Sequence, residues 1–329
     1  LKTGLVAGGA GFIGSNLCEF LLRRGWRVLC VDNLVTGRKE NIAHLASNPR
    51  FKFLKKDISR SFTIPGNVDV IFNLASPASP KDYYAYPIET MVAGAYGTHN
   101  LLELARSKKA IFIHASTSEV YGDPKEHPQS ESYWGNVNPV GPRAVYDESK
   151  RYAEALIMTY YRIFHLPVRI ARIFNTYGPR MKLNDGRVVP NLIYQALTGQ
   201  PLTIYGTGKQ TRSFCYISDL IAGLYKMIRC PVSEPINLGN PEEFTIIEFA
   251  RLVKKLTGSK SPLIFLPIPG DDPKRRCPDI TRAQQLLKWN PKVSLVAGLT
   301  MTINWFQHQL KKFPSSSTGK DYREGTIRQ

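Results

Sequence analysis

Tyr146 and Lys150 stand four residues apart in Val-Tyr-Asp-Glu-Ser-Lys. On a helix that spacing puts both side chains on one face, with an ammonium beside a phenol. Such a pair is a candidate base. An unperturbed phenol has a pKa of about 10, so bringing it to about 7 takes roughly 4 kcal/mol of preferential phenolate stabilisation, which a fixed cation and a positively charged cofactor ring could together supply. The phenol would then take a proton from a substrate hydroxyl while hydride leaves the same carbon. Tyrosine and lysine four apart are common by chance, and it is the context that gives this pair weight. Upstream, the apolar run Ala110-Ile-Phe-Ile-His-Ala115 empties into Ser116, Thr117, Ser118 and Glu119. The carboxyl end of an α/β strand is where substrates bind.

The elements that must position this pair read as a repeating strand-and-helix pattern. Residues 3–7 form a short apolar strand leading into Gly8-Gly-Ala-Gly11-Phe12-Ile13-Gly14 and a helical pattern from Ser15 to Arg24. Glycines at 8, 11 and 14 suit a tight turn, close backbone approach to a pyrophosphate, and tight packing of helix on strand. A second strand, Arg27–Val31, ends at Asp32, eighteen residues beyond Gly14. A carboxylate there accepts from the adenosine ribose hydroxyls and repels a 2'-phosphate, so NAD is expected over NADP, with Arg38 and Lys39 weighing the other way. Strands at 51–54, running to Asp57, at 68–75, 110–115 and 168–174 alternate with long helices at about 88–107 and through Tyr146 and Lys150 to about 164. The expected fold class is α/β, a Rossmann-type doubly wound parallel sheet covered on both faces. The loop Ser76-Pro-Ala-Ser-Pro80 is expected to line the cleft.

After Asn175, glycine and proline become frequent. A helix at 188–198, a strand at 202–205, a helix at 246–257, a strand at 263–266, a loop at 270–280 and a last helix at 299–310 are expected, while 214–228 should rejoin the first domain as strand and helix. The division predicted is an NAD-binding domain over 1–178, with 214–240 returning to it, and a smaller, discontinuous nucleotide-sugar-binding domain over 179–213 and 241–310. Residues 311–329 read as a mobile tail.

The chain has 329 residues, enough for a sizeable core. Its five cysteines show no paired spacing, so neither a disulfide framework nor a metal site is expected, which suits a reducing, cytoplasmic setting. No apolar run reaches the ~18 residues needed to span a bilayer. Whether a membrane anchor precedes Leu1 is left open. The excess of 44 basic over 26 acidic residues, +18, raises nucleic acid as a partner. The basic residues are dispersed, however, and Lys274-Arg275-Arg276 follows two aspartates, so a small anionic substrate and solvated surface fit better.

Taken together these residues resemble the extended short-chain dehydrogenase/reductase family, and more closely its UDP-glucuronate decarboxylase branch. The family features are the glycine motif, Tyr146 with Lys150, and Asn175-Thr-Tyr-Gly-Pro-Arg180. The branch features are Thr117-Ser-Glu-Val-Tyr-Gly-Asp-Pro124, Tyr133-Trp-Gly-Asn-Val-Asn-Pro, Gly141-Pro-Arg-Ala-Val-Tyr146, Gly186-Arg-Val-Val-Pro-Asn191 and Gln210-Thr-Arg-Ser-Phe214. The resemblance implies that NAD oxidises carbon 4 of UDP-glucuronate, carbon dioxide leaves from the resulting β-keto acid, and the ketone is reduced to UDP-xylose. It implies Tyr146 as base, Lys150 as its support, Thr117 at carbon 4, and Glu119 and Arg276 at the decarboxylation and protonation steps, with Arg275 as second choice. NAD contacts are implied for Phe12, Ile13, Asp32, Asn33, Thr36, Gly37, Asp57, Ile58, Leu74, Ala75, Thr90, Tyr146, Lys150 and Arg180. Substrate contacts are implied for Ser118, Asn175, Val188, Val189, Asn191, Tyr205, Gln210, Arg212 and Arg276. A homodimer joined through the 88–107 and 146–164 helices is also implied. Glu89 and Gly94 stand where many branch members carry Lys and Asn that help bind the sugar acid. Those departures keep a UDP-glucuronate 4-epimerase, or another UDP-sugar epimerase or dehydratase, as the alternative. A non-enzymatic NAD-sensing module would not need Tyr146, Lys150 and Thr117 together.

Overall fold

A computed structural model describes residues 1–183, 185–267 and 275–312. In chain order the strands are β1 (Thr3–Ala7), β2 (Arg27–Asp32), β3 (Phe51–Lys55), β4 (Val70–Asn73), β5 (Ile111–Thr117), β6 (Val168–Ile173), β7 (Thr176–Tyr177), β8 (Leu202–Tyr205), β9 (Thr211–Ser213), β10 (Cys215–Tyr216), β11 (Ile236–Leu238), β12 (Glu243–Thr245), β13 (Leu263–Leu266) and β14 (Arg275–Arg276). The helices are α1 (Phe12–Arg23), α2 (Pro80–Ala85), α3 (Pro87–Val92), α4 (Thr98–Lys108), α5 (Ala144–Phe164), α6 (Val188–Leu197), α7 (Ile217–Met227), α8 (Ile246–Thr257), α9 (Thr281–Leu287) and α10 (Leu295–Lys312).

Seven strands pair in parallel in the order β11-β6-β5-β4-β1-β2-β3. Parallel strands buried on both faces need apolar side chains on both, and β1 and β4 are buried along their whole length. Val6 and Phe72 point into a core shared with Leu17 and Leu21 of α1 and Leu224 of α7. Leu5, Ile71 and Phe112 point the other way, onto Leu101 and Leu102 of α4 and Ile157 of α5. The chain winds outward from β1 to β3, crosses back to β4 and continues in the opposite direction. The crevice between β1 and β4 is therefore the topological switch point, where α/β sheets bind ligands. Beside this sheet lie the parallel pair β8-β13 and the three-stranded β12-β9-β14.

Several expected elements come out differently. The rod expected at 88–107 is α3 and α4 joined by a π-type turn at Ala93–Gly97. Two glycines there let neighbours approach: a Cβ at Gly94 would sit 2.7 Å from that of Ser149, and one at Gly97 2.6 Å from Ile58 Cδ1. Residues 214–228 do form a strand and a helix. The strand, β10, pairs with β7 outside the seven-stranded sheet, while α7 packs on α1 through Tyr225, whose ring lies 5.3 Å from that of Phe20. The seventh strand of the sheet is instead β11, three residues long. Helix α2 was unanticipated, and α10 starts at Leu295 and runs through Lys311 and Lys312, which had been assigned to the tail. Residues 313–329, and the 270–274 part of the expected loop, lie outside the described residues. Among those described, no helix is long and apolar enough to cross a membrane, and all five cysteines are free and buried.

Candidate active site

A cleft of about 550 Å³ opens at the carboxyl ends of β4, β5 and β6 and is closed on its far side by α6, β8, β9 and β14. Its walls bring together Thr117, Ser118, Glu119, Tyr146, Lys150 and Arg276, with Phe12, Ile13 and Leu74 at one end and Asn175, Val188, Val189, Asn191, Tyr205, Gln210 and Arg212 at the other. Residues 76, 78 and 80 of the proline-rich loop line it as well.

Helix α5 begins two residues before Tyr146, so Tyr146 and Lys150 sit on successive turns. Both are buried. The Tyr146 ring stacks on Tyr83 at 5.3 Å and 12°, and its hydroxyl is hydrogen-bonded to Thr117. Lys150 Nζ donates to the carbonyl of Ala115 at 2.9 Å and lies 5.8 Å from the centre of the Tyr146 ring. Protein groups alone do not lower the phenol. Burial pushes it up to about 12, against the pull of Thr117 and Arg187. The same burial pulls the Lys150 ammonium down to about 8. The protein groups alone therefore leave the phenol protonated, since the ammonium is turned to Ala115 and both groups are desolvated; a positively charged cofactor ring, if bound beside it, would supply a further pull.

Glu119 is the second residue of a short helical turn after β5, and its N–H donates to Thr117 Oγ1, which caps the turn, at 3.2 Å. Arg276 Nη1 donates to the Ser118 carbonyl at 2.8 Å and its Nη2 to Glu119 Oε2 at 3.1 Å, while Arg143 bonds the same oxygen. Burial opposes the charge on Glu119, but Arg276, Arg143 and Arg212 outweigh it and hold the carboxyl at about 2. Glu119 is therefore ionised, with the positive charge of Arg276, Arg143 and Arg212 around it.

Arg187 and Arg143 line the cleft and were not among the candidates read from the sequence. Arg187 is anchored by Asp185, with Nε donating to Oδ2 at 2.8 Å, and its charge faces Tyr146. Arg143 lies three residues before Tyr146, one turn earlier on the same face, a spacing that could have found it. Glu89 is exposed on α3 and off the cleft wall, and Gly94 is buried beneath α5 against Ser149. Neither position opposes an anionic substrate.

The other cofactor candidates lie off the cleft wall. Gly8 adopts φ +75°, and a Cβ there would stand 2.7 Å from the Leu74 carbonyl oxygen; one at Gly14 would stand 2.1 Å from that of Gly8. The missing Cβ atoms leave a cradle at the N-terminus of α1, where Gly11 caps the helix without a side-chain bond. That cradle fits a pyrophosphate. Asp32 ends β2 beside Gly37, and its two oxygens accept from Ala10 N–H at 2.9 Å and Leu34 N–H at 2.8 Å. Asp57 accepts from Ser59 and from Asn33, which shares the loop after β2 with Thr36. Ile58 packs on Gly97, and Ala75 follows β4 against Gly8. Thr90 is buried and donates to the Tyr86 carbonyl at 2.7 Å, and Arg180 bonds Glu19 and His44 beneath α1; neither is turned to the cleft.

Residues 5–302 match the family model described as GDP-mannose 4,6 dehydratase. The chain is 52% identical over 307 residues to "UDP-glucuronic acid decarboxylase 1" of Xenopus tropicalis, covering 93% of this chain and 72% of that protein. It is 50% identical over 306 residues to the Arabidopsis thaliana protein of the same name, covering 93% and 70%. Among solved structures, the UDP-glucuronic acid 4-epimerase of Bacillus cereus in complex with UDP-glucuronic acid and NAD superposes with a TM-score of 0.82 at 32% identity, covering 94% of this chain and all of that one. The chain belongs to the extended short-chain dehydrogenase/reductase family, on its UDP-glucuronate decarboxylase branch.

Proposed function

We propose that this chain is an NAD-dependent UDP-glucuronate decarboxylase that releases UDP-xylose and carbon dioxide. The observation that carries the reading is the cleft itself, in which a buried phenol faces Arg187 and three further arginines, Arg276, Arg143 and Arg212, surround one ionised glutamate. The cradle of Gly8, Gly11 and Gly14 would hold the pyrophosphate of NAD, with Asp32 at the adenosine ribose and Phe12, Ile13, Leu74 and Lys150 towards the nicotinamide end. Bound NAD supplies the hydride acceptor for carbon 4 and returns the hydride at the end of the cycle.

Tyr146 takes the proton of the 4-hydroxyl and later gives it back, with Thr117 holding that hydroxyl in line. Loss of the carboxylate then needs no acid, since the ketone at carbon 4 is β to it. Arg276 and Arg143 hold the carboxylate in the cleft, and Glu119, ionised throughout, fixes both guanidinium groups in place. The proton that replaces carbon dioxide on carbon 5 comes from water, because a carboxyl held at about 2 has none to give. Asn175, at the end of the NAD-binding segment, and Val188, Val189, Asn191, Tyr205, Gln210 and Arg212 of segment 179–213 would form the uridine and diphosphate end. With UDP-glucuronate and NAD, carbon dioxide and UDP-xylose form in equal amounts without net NADH; steady accumulation of NADH refutes the cycle.

Lys150 is a cation below about pH 8 and neutral above it. The plot of kcat/KM against pH is therefore expected to fall on the alkaline side with a midpoint near 8 as the ammonium is lost, and a profile flat to pH 10 contradicts its role. Glu119→Gln strips the buried Arg276 and the half-buried Arg143 of their shared counter-ion. Single-turnover release of carbon dioxide is expected to slow by about ten- to a hundredfold, and an unchanged rate returns Glu119 to a passive place in the wall.

Exposed apolar residues cluster on the paired helices: Ile88, Met91 and Tyr96 on α3 and the turn after it, and Tyr152, Tyr161, Ile163 and Phe164 on α5. They form the contact of a homodimer in this reading, since a patch of this kind is otherwise costly to leave in water. Light scattering at micromolar concentration is expected to give twice the chain mass, and Ile163→Glu the chain mass; a monomeric parent protein disproves the dimer.

A further inference from the structure

Away from the cleft, three segments remote in the sequence bring an imidazole, a carboxylate and a thiol together. His127 lies in the loop after β5, Glu243 on β12, and Cys277 directly after Arg276 of β14. Their ligand atoms all lie within 4.8 Å of one another. We propose that this cluster is a three-ligand site for a soft divalent transition metal such as zinc, which clamps the 127–129 segment and β12 onto the strand that carries Arg276.

The ligands are held before any metal arrives. Thr211 Oγ1 donates to Glu243 Oε1 at 2.6 Å, which leaves Oε2 facing His127 Nε2 at 2.8 Å. Carboxylate ligands are commonly oriented by an outer hydrogen bond of this kind. Cys277 is pinned through its backbone: its N–H donates to Gln129 Oε1 at 2.9 Å, and its carbonyl accepts from the Gln129 N–H at 2.9 Å. Its thiol is directed at the Pro241 carbonyl at 3.3 Å, next to the start of β12. Strands β12 and β14 flank β9 in one sheet, so carboxylate and thiol keep their separation as long as that ladder stands.

The donor set selects the ion. Thiolate and imidazole favour zinc and its neighbours over magnesium or calcium, and three protein ligands leave a fourth tetrahedral position for water. Binding must displace the thiol proton, so affinity falls as pH falls. The spacing of cysteines in the sequence hides the site, since His127 and Glu243 are 116 residues apart. Metal in place would also fix the backbone next to the Arg276 guanidinium.

The test uses the full chain, stripped with a chelator and titrated with zinc by calorimetry, and with cobalt followed through thiolate-to-cobalt charge-transfer absorbance. One ion per chain, a charge-transfer band and a raised unfolding temperature are expected. Cys277→Ser loses the band and more than about a hundredfold in zinc affinity, Thr211→Val loses roughly 10–100-fold, and the surface change His127→Gln weakens binding too. All three keep metal-free turnover. Equal zinc affinity in the parent and Cys277→Ser, or no cobalt band in the parent, overturns the site.

Discussion

Tyr146→Phe is expected to lower turnover by about a thousandfold or more while NAD affinity stays within a few-fold of the parent. The ring remains: Tyr146 is 8% exposed and stacked on Tyr83, and phenylalanine fills that space in the same rotamer. Only the oxygen goes, and with it the bond to Thr117. Single-turnover assays with saturating cofactor measure the loss, and cofactor fluorescence titration measures the binding. A variant that keeps a tenth of the parent rate removes Tyr146 from the chemistry.

Gly14→Ala should be nearly as damaging for a different reason. The new Cβ would lie 2.1 Å from the Gly8 carbonyl oxygen and 2.7 Å from the Gly9 Cα, both backbone atoms in a turn that has no slack. Relief requires α1 to move off β1, which opens the cradle. Overpacking of a tight site costs about 1–3 kcal/mol or more, so NAD affinity is expected to fall by about a hundredfold, with a lower unfolding temperature. Gly25→Ala controls for destabilisation away from the cradle: its φ of +83° strains an alanine while the nearest atom is the flexible end of Arg50 3.7 Å away, so the unfolding temperature should drop with NAD affinity unchanged. Equal NAD affinity in Gly14→Ala and the parent would show that the cradle does not hold the pyrophosphate.

Much of the first half of the fold was legible because its signals are local. The glycine motif sits between a strand and a helix, Asp32 closes the next strand, and each strand up to β6 carries its own apolar run. Strand β11 escaped notice because Ile-Asn-Leu is too short to show a period, and its place in the sheet depends on β6. The two glycines of the π-type turn read as ordinary helix interior, since the atoms that need their space, on Ser149 and Ile58, are distant in sequence. At the site, residues on the ends of strands were recognisable, whereas Arg187 owes its place to a turn set by Asp185. Glu89 and Gly94 counted against a sugar-acid substrate until their directions were known: one faces solvent and the other lies under α5. The turn of Lys150 to the Ala115 carbonyl was likewise hidden, because four-residue spacing specifies a shared face and not where the ammonium points.

The most direct measurement is to supply NAD and UDP-glucuronate labelled with heavy carbon in the carboxylate, in deuterated water, and follow the reaction by NMR. An arginine-lined cleft that discards the carboxylate predicts labelled carbon dioxide and bicarbonate appearing one for one with UDP-xylose that carries a single solvent-derived deuterium on carbon 5. Label retained on the sugar, as UDP-galacturonate, would contradict it.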